Sequence, residues 1–154
     1  MAIFRILTLA AIIFAIGGGF SVAEPVPQEK KSTPEEQKPA GVQWRTDYNA
    51  ARKEAVERKR PILIFFWKDS ALVCAKLMRA ISEHAELTKF LNSRMIPLRI
   101  NGPEEGVLAD RLQISLYPTI IFADSDGKIR ETHIGYIEAD DLLAKLRKTF
   151  PEPK

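Results

Sequence analysis

Apolar residues follow two rhythms along this chain, and the alternation between them sketches its elements. Ile62-Leu-Ile-Phe-Phe-Trp67 is a continuous apolar run rich in β-branched and aromatic side chains, as in a strand covered on both faces. Met95 to Ile100 forms another strand. Ile120 to Ala123 and Lys128 to Ile134 read as two more, joined by the hairpin turn signal Asp124-Ser125-Asp126-Gly127. Elsewhere the spacing is three to four. Thr46 can cap a helix running to about Arg58, with Tyr48, Ala51, Ala55 and Val56 on its buried face, and Pro61 ends it. Ser70 can cap a helix from Ala71 to about Ala80, whose buried side continues through Leu77, Met78 and Ile81. Ser82 restarts a helical stretch through Leu91, and Glu104 to Leu112 is a short helix after Pro103. A final amphipathic helix, Ala139 to Thr149, carries Leu142, Leu143 and Leu146 on one face.

The first residues follow neither rhythm. Arg5 supplies positive charge, Ile6 to Ile16 is an uncharged apolar run, and Gly17-Gly-Gly19 breaks it before Ser21-Val22-Ala23. Residues 1–23 therefore read as a signal peptide cleaved after Ala23, and the domain as extracytoplasmic, periplasmic or secreted. The alternative is an uncleaved anchor extended through the glycines and Phe20, which would be the domain's only link to a membrane. Residues 24–43 hold Pro25, Pro27, Pro34 and Pro39 among Glu, Lys and Gln, with almost no large apolar side chains. Such a segment cannot bury enough surface to offset its ordering entropy and reads as a disordered tether. Residues 44–150 remain for one ordinary domain.

Composition narrows the function classes. Of 154 residues, 45% are hydrophobic and 28% charged, as in a soluble globular protein. The net charge of +3 is small and interspersed, so no nucleic-acid partner is indicated. The basic cluster Arg52, Lys53, Arg58, Lys59 and Arg60 is broken by Glu54 and Glu57, as on a solvated helix face. The acidic hairpin turn lacks the glycine position and terminal Glu of a calcium loop, and no metal-ligand spacing links His84 or His133 to Cys74. Neither a metal nor another cofactor is expected. Cys74 is the sole cysteine, so outside the cytoplasm it is either buried and inert or available to another molecule's sulfur.

The chemistry-bearing stretch is Ile62 to Met78, an apolar strand leading into a helix with Cys74 in its first turn, followed later by Tyr117-Pro118-Thr119. Trp44, Ala50-Ala51-Arg-Lys-Glu-Ala55, Arg60-Pro61, Cys74-Ala-Lys-Leu77, Asp126-Gly127-Lys128 and Gly135-Tyr136 accompany it in order. Together these pieces resemble the thioredoxin superfamily, most closely its extracytoplasmic thioredoxin-like domains. The resemblance implies an α/β fold, a three-layer α/β/α sandwich with a central mixed sheet. It also implies a cis peptide bond before Pro118, facing the Cys74 helix, with the backbone at Tyr117 pairing with a bound peptide; the alternative is a plain turn proline opening the next strand.

Three departures from the family bear on catalysis. Over the family's Trp-Cys-x-x-Cys motif, Ser70 takes the Trp position, Ala71 the first Cys and Cys74 the second. Exchange needs a thiolate to attack and a second thiol to resolve the mixed disulfide, and alanine supplies neither. Phe65 stands where many thioredoxins hold a buried Asp that deprotonates the resolving thiol. The expectation is a domain without dithiol oxidoreductase activity, holding an extended peptide or partner protein beside Ser70, Ala71, Leu72, Tyr117 and Pro118, with Leu72 and Val73 exposed. The alternative is single-thiol disulfide exchange through Cys74, the one catalytic candidate. Ser70 lacks an evident base, which makes a Ser/His pairing a poor reading.

Overall fold

The computed structural model describes residues 41–151. The expected signal peptide, residues 1–23, and the expected tether up to residue 40 lie outside the described residues.

The elements in chain order are α1 (Tyr48–Arg58), β1 (Ile62–Trp67), α2 (Leu72–Glu83), α3 (Ala85–Arg94), β2 (Ile96–Asn101), α4 (Gly106–Arg111), β3 (Thr119–Ala123), β4 (Ile129–Ile134) and α5 (Ala139–Thr149). The strands form one mixed sheet in the order β2-β1-β3-β4, with β2 parallel to β1 and the other pairs antiparallel. The alternation of β1 divides the core into two layers. Leu63 and Phe65 point into a cluster with Leu77, Ile81, Leu87, Leu91, Leu142 and Leu146 of α2, α3 and α5. Ile62, Ile64 and Phe66 point the other way, against Ala51 and Ala55 of α1 and Ala109 of α4. That makes the α/β/α sandwich, and it explains why β1 has no polar position.

The helix starts differ from the sequence reading. Asp47, not Thr46, caps α1, accepting the Ala50 amide through Oδ1 at 2.6 Å. Val56 is 56% exposed, so the buried face of α1 is narrower than expected. Ser82 does not restart a helix: its hydroxyl donates to the Met78 carbonyl at 2.9 Å, and α2 continues to Glu83. His84 starts α3 instead, its Nδ1 accepting the Leu87 amide at 3.0 Å. Its Nε2 faces Asp140 at 2.9 Å, which fixes the proton on that nitrogen.

The outer edge of β2 is partly covered. Arg45 donates its amide to the Pro97 carbonyl and accepts the Arg99 amide, a single parallel bridge outside β2. The Arg45 guanidinium grips Glu54 on α1 at 2.6 and 2.9 Å, and Trp44 lays its ring 5.9 Å from that of Phe65. The Arg45 guanidinium holds the Glu54 carboxyl below its ordinary value of 4.5.

Candidate functional site

The strand β1 ends at Trp67, and Lys68, Asp69 and Ser70 turn the chain into α2. The Ala71 amide donates to the Lys68 carbonyl at 3.1 Å and closes this turn. Ala71, not Ser70, is the N-cap residue, with extended backbone and no side-chain acceptor for the helix amides. The Leu72 and Val73 amides therefore face outward without a partner among the described residues. The Cys74 amide returns to the Ala71 carbonyl at 2.9 Å, so positions 71 and 74 stand one turn apart.

Burial separates these residues sharply. Leu72 is 88% exposed and Val73 38%, whereas Cys74 is 1% exposed, packed in the cluster that holds Phe65 and Leu77. Ser70 is exposed in the turn, and Ala71 is half-buried against the same cluster.

The second half of the site comes from the loop before β3. The Tyr117–Pro118 peptide bond is cis. Pro118 is buried, and its carbonyl accepts the Gly135 amide at 2.8 Å. The Thr119 hydroxyl donates to the Leu116 carbonyl at 2.7 Å and tightens the turn. The Tyr117 ring lies directly over Gly102, where a side chain would collide with it. Gly102 in turn donates its amide to the Trp67 carbonyl at 3.0 Å. Gly102 thus seats the proline loop on the end of β1, where α2 begins. Neither the amide nor the carbonyl of Tyr117 has a partner among the described residues. Leu116 is 59% exposed, and Ile134, opposite Thr119 in the sheet register, is 58% exposed.

The site holds no base for a nucleophile. Phe65, fully buried in the same core cluster as Cys74, offers no proton acceptor. His84 is committed to Leu87 and Asp140, and the His133 ring contacts the Tyr136 carbonyl at 3.4 Å. Asp69 accepts from the Asn101 side chain at 3.0 Å. Among the described residues no cluster of three or more His, Cys, Asp or Glu could hold a metal, and no helix is long and apolar enough to cross a membrane.

Residues 48–150 match the family of thioredoxin-like domains. The chain belongs to that family. A thioredoxin of Rickettsia felis is 27% identical over 99 residues, 64% of this chain and 90% of the relative. Among solved structures, a DsbH oxidoreductase superposes with a TM-score of 0.66 at 16% identity, covering 88% of this chain and 96% of its own. A thioredoxin from Thermus thermophilus gives 0.62 at 19% identity, over 70% of this chain and 86% of its own. At these identities the structural likeness speaks for the fold alone.

Within a thioredoxin-like fold, one cysteine cannot cycle between a dithiol and an internal disulfide. Ala71 and Cys74 hold the two positions of a degenerate Cys-x-x-Cys motif. The structure brings Ala71 and Tyr117 against one core cluster and leaves Leu72 projecting from it. The role of Gly102 was not legible in the sequence, because a glycine after a strand signals a turn without naming the ring it must admit. The larger hollow of about 580 Å³, between β4 and α5, contains none of the candidate catalytic or binding residues Ser70, Ala71, Leu72, Cys74, Tyr117 and Pro118.

Proposed function

We propose that this is an extracytoplasmic thioredoxin-like domain that has lost dithiol exchange and holds an extended peptide or partner protein across Ser70, Ala71, Leu72, Tyr117 and Pro118. The observation that carries the reading is the contrast at the start of α2: a leucine 88% exposed beside a cysteine 1% exposed. A site for sulfur chemistry exposes its sulfur, and a site for apolar contact exposes carbon. The open backbone groups of Tyr117 support the reading, since an extended segment laid there gains main-chain hydrogen bonds without displacing any. Pro118, being buried, shapes the groove from below.

Single-thiol exchange through Cys74 runs against its burial, since a disulfide partner must reach the sulfur. The extracytoplasmic placement rests on the sequence of residues 1–23, and N-terminal sequencing of protein from native envelopes tests it. A mature start at Glu24 supports export and cleavage; a start at Met1 or Ala2 shows a retained segment.

The binding role is tested by panning the mature domain against a library of extended peptides, with the Leu72→Asp variant as the control. Selection of apolar-centred peptides that the variant loses supports the groove. Peptides bound equally by both overturn it. In parallel the domain should leave insulin disulfides intact at the rate of a no-protein control; turnover comparable to a dithiol thioredoxin contradicts the loss of exchange.

A further inference from the structure

A second cavity opens beside α2, of about 340 Å³, within the range of small-molecule sites. Its walls are Trp67, Ala71, Cys74, Ala75 and Met78, and its charged lining is Lys68, Asp69, Arg79 and Arg99. Leu72, Tyr117 and Pro118 take no part in it, so it shares only Ala71 with the peptide groove. The α2 residues follow a helical stripe in which Ala71 and Ala75 are small, and this leaves the hollow open between the helix and the edge strand β2.

Arg99 is the unusual member. On β2, Ile96, Leu98 and Ile100 point into the α1 layer, so Arg99 projects to the α2 layer, beside the buried Phe65 of β1. It is half-buried, and its guanidinium lies 5.8 Å from the Trp67 ring. No carboxylate among the described residues pairs with it. Lys68 on the rim also lacks a carboxylate partner, and Arg79 is held by Glu83, outside the lining. The single acid of the lining, Asp69, is engaged by Asn101. Two cations without a carboxylate partner among the described residues, Arg99 and Lys68, therefore border an apolar hollow whose single acid, Asp69, is turned to Asn101. A partly desolvated guanidinium on an aromatic face attracts an anion more strongly than a fully hydrated ammonium does.

We propose that this cavity binds a small amphipathic anion: a carboxylate held by Arg99 and Lys68, on an apolar body lying against Trp67, Met78 and the buried flank of Cys74. The ligand binds reversibly, and no bond to sulfur is formed. The site stands independently of the peptide groove.

The test is a titration of the isotopically labelled mature domain with octanoate, and separately with octan-1-ol, followed by amide and indole chemical shifts. Octanoate should give saturable shifts at Trp67, Ala75 and Arg99 with a Kd of about 1 mM or tighter, the range open to a ligand of that size. The alcohol should bind roughly tenfold more weakly, because it lacks the charge that Arg99 meets. Arg99→Met should weaken octanoate about tenfold and leave octanol unchanged. Ala75→Phe, at an exposed position on the wall, should abolish saturation by filling the hollow, with circular dichroism confirming the fold. Equal affinity for acid and alcohol, or shifts that spread over the surface without saturating, overturns the proposal. So does an Ala75→Phe variant that binds as the parent does. Peptides selected at the Leu72 groove should bind the Ala75→Phe variant normally, which separates failure of this site from failure of that one.

Discussion

Restoring a thiol at position 71 probes whether the degenerate motif keeps the geometry of its relatives. The Cys74 amide bonded to the Ala71 carbonyl at 2.9 Å fixes the two residues one turn apart. On a helix, Cα atoms three residues apart lie about 5 Å from one another, inside the roughly 4.4–6.8 Å a disulfide tolerates, while the Cβ atoms, about 5–6 Å apart, must close to about 4 Å. Ala71→Cys should therefore form a disulfide with Cys74 in air, after a modest rotation at the N-cap, where the backbone is already extended. Closing a loop of about four residues removes at most about 2 kcal/mol of unfolded-state entropy, so the oxidised form should melt no more than roughly 8 °C above the reduced form. The new thiol sits at an uncapped helix N-terminus, where the open amides of Leu72 and Val73 favour its thiolate and draw its pKa below the ordinary cysteine range. Mass spectrometry with and without alkylation counts free thiols, and a calorimetric scan gives the melting difference. Insulin reduction should remain well below that of a dithiol thioredoxin, because Phe65 offers no proton acceptor. If both thiols stay free in an oxidising buffer while the domain remains folded, Cys74 does not face position 71. The alignment of this segment, and the lost nucleophile with it, would then be wrong.

Cys74, 1% exposed, should react with a maleimide on the order of a thousandfold more slowly in the folded domain than in denaturant; comparable rates refute its burial. Glu54→Gln should cost about 1 kcal/mol near neutral pH by breaking the paired contacts with Arg45. Because the Glu54 pKa is lowered on folding, its contribution is present above its ordinary value of 4.5 and fades as pH falls through the folded value, so the two proteins should converge in acid denaturation curves. A gap that persists into strong acid contradicts that origin. Gly102→Ala should cost about 1–3 kcal/mol by driving a methyl group into the Tyr117 ring, and Tyr117→Ala in the same chain should recover part of it; additive losses in denaturant melts refute the contact.

Much of the fold was legible because the core imposes its periods on the sequence. The α5 helix spans Ala139–Thr149, as its leucines require, and β1 spans Ile62–Trp67, because both faces of that strand are covered. Helix starts were less legible. Ser70 and Ser82 look like caps by residue type, yet a serine hydroxyl serves equally inside a helix, as Ser82 does on Met78. His84 caps α3 with a ring nitrogen, an acceptor that no propensity scale favours. The positions of Ala71 and Cys74 followed from the resemblance to the family's Cys-x-x-Cys motif. The cavity beside Arg99 did not, since one arginine in an alternating strand reads as a solvent-facing residue until the opposing helix shows alanines there. The Arg45 bridge was hidden for a similar reason: a single residue pairing at an edge leaves no periodic trace.

In the function proposed above, the exposed start of α2 contacts a polypeptide without sulfur chemistry. A photo-crosslinking amino acid placed at Leu72, with the protein irradiated in its native compartment, tests it directly. Val56, 56% exposed on α1, serves as the control position. A covalent polypeptide adduct is expected at Leu72 that survives reductant, persists in Cys74→Ser and is missing at Val56. Equal adducts at both positions, or an adduct at Leu72 that disappears in Cys74→Ser, would contradict it.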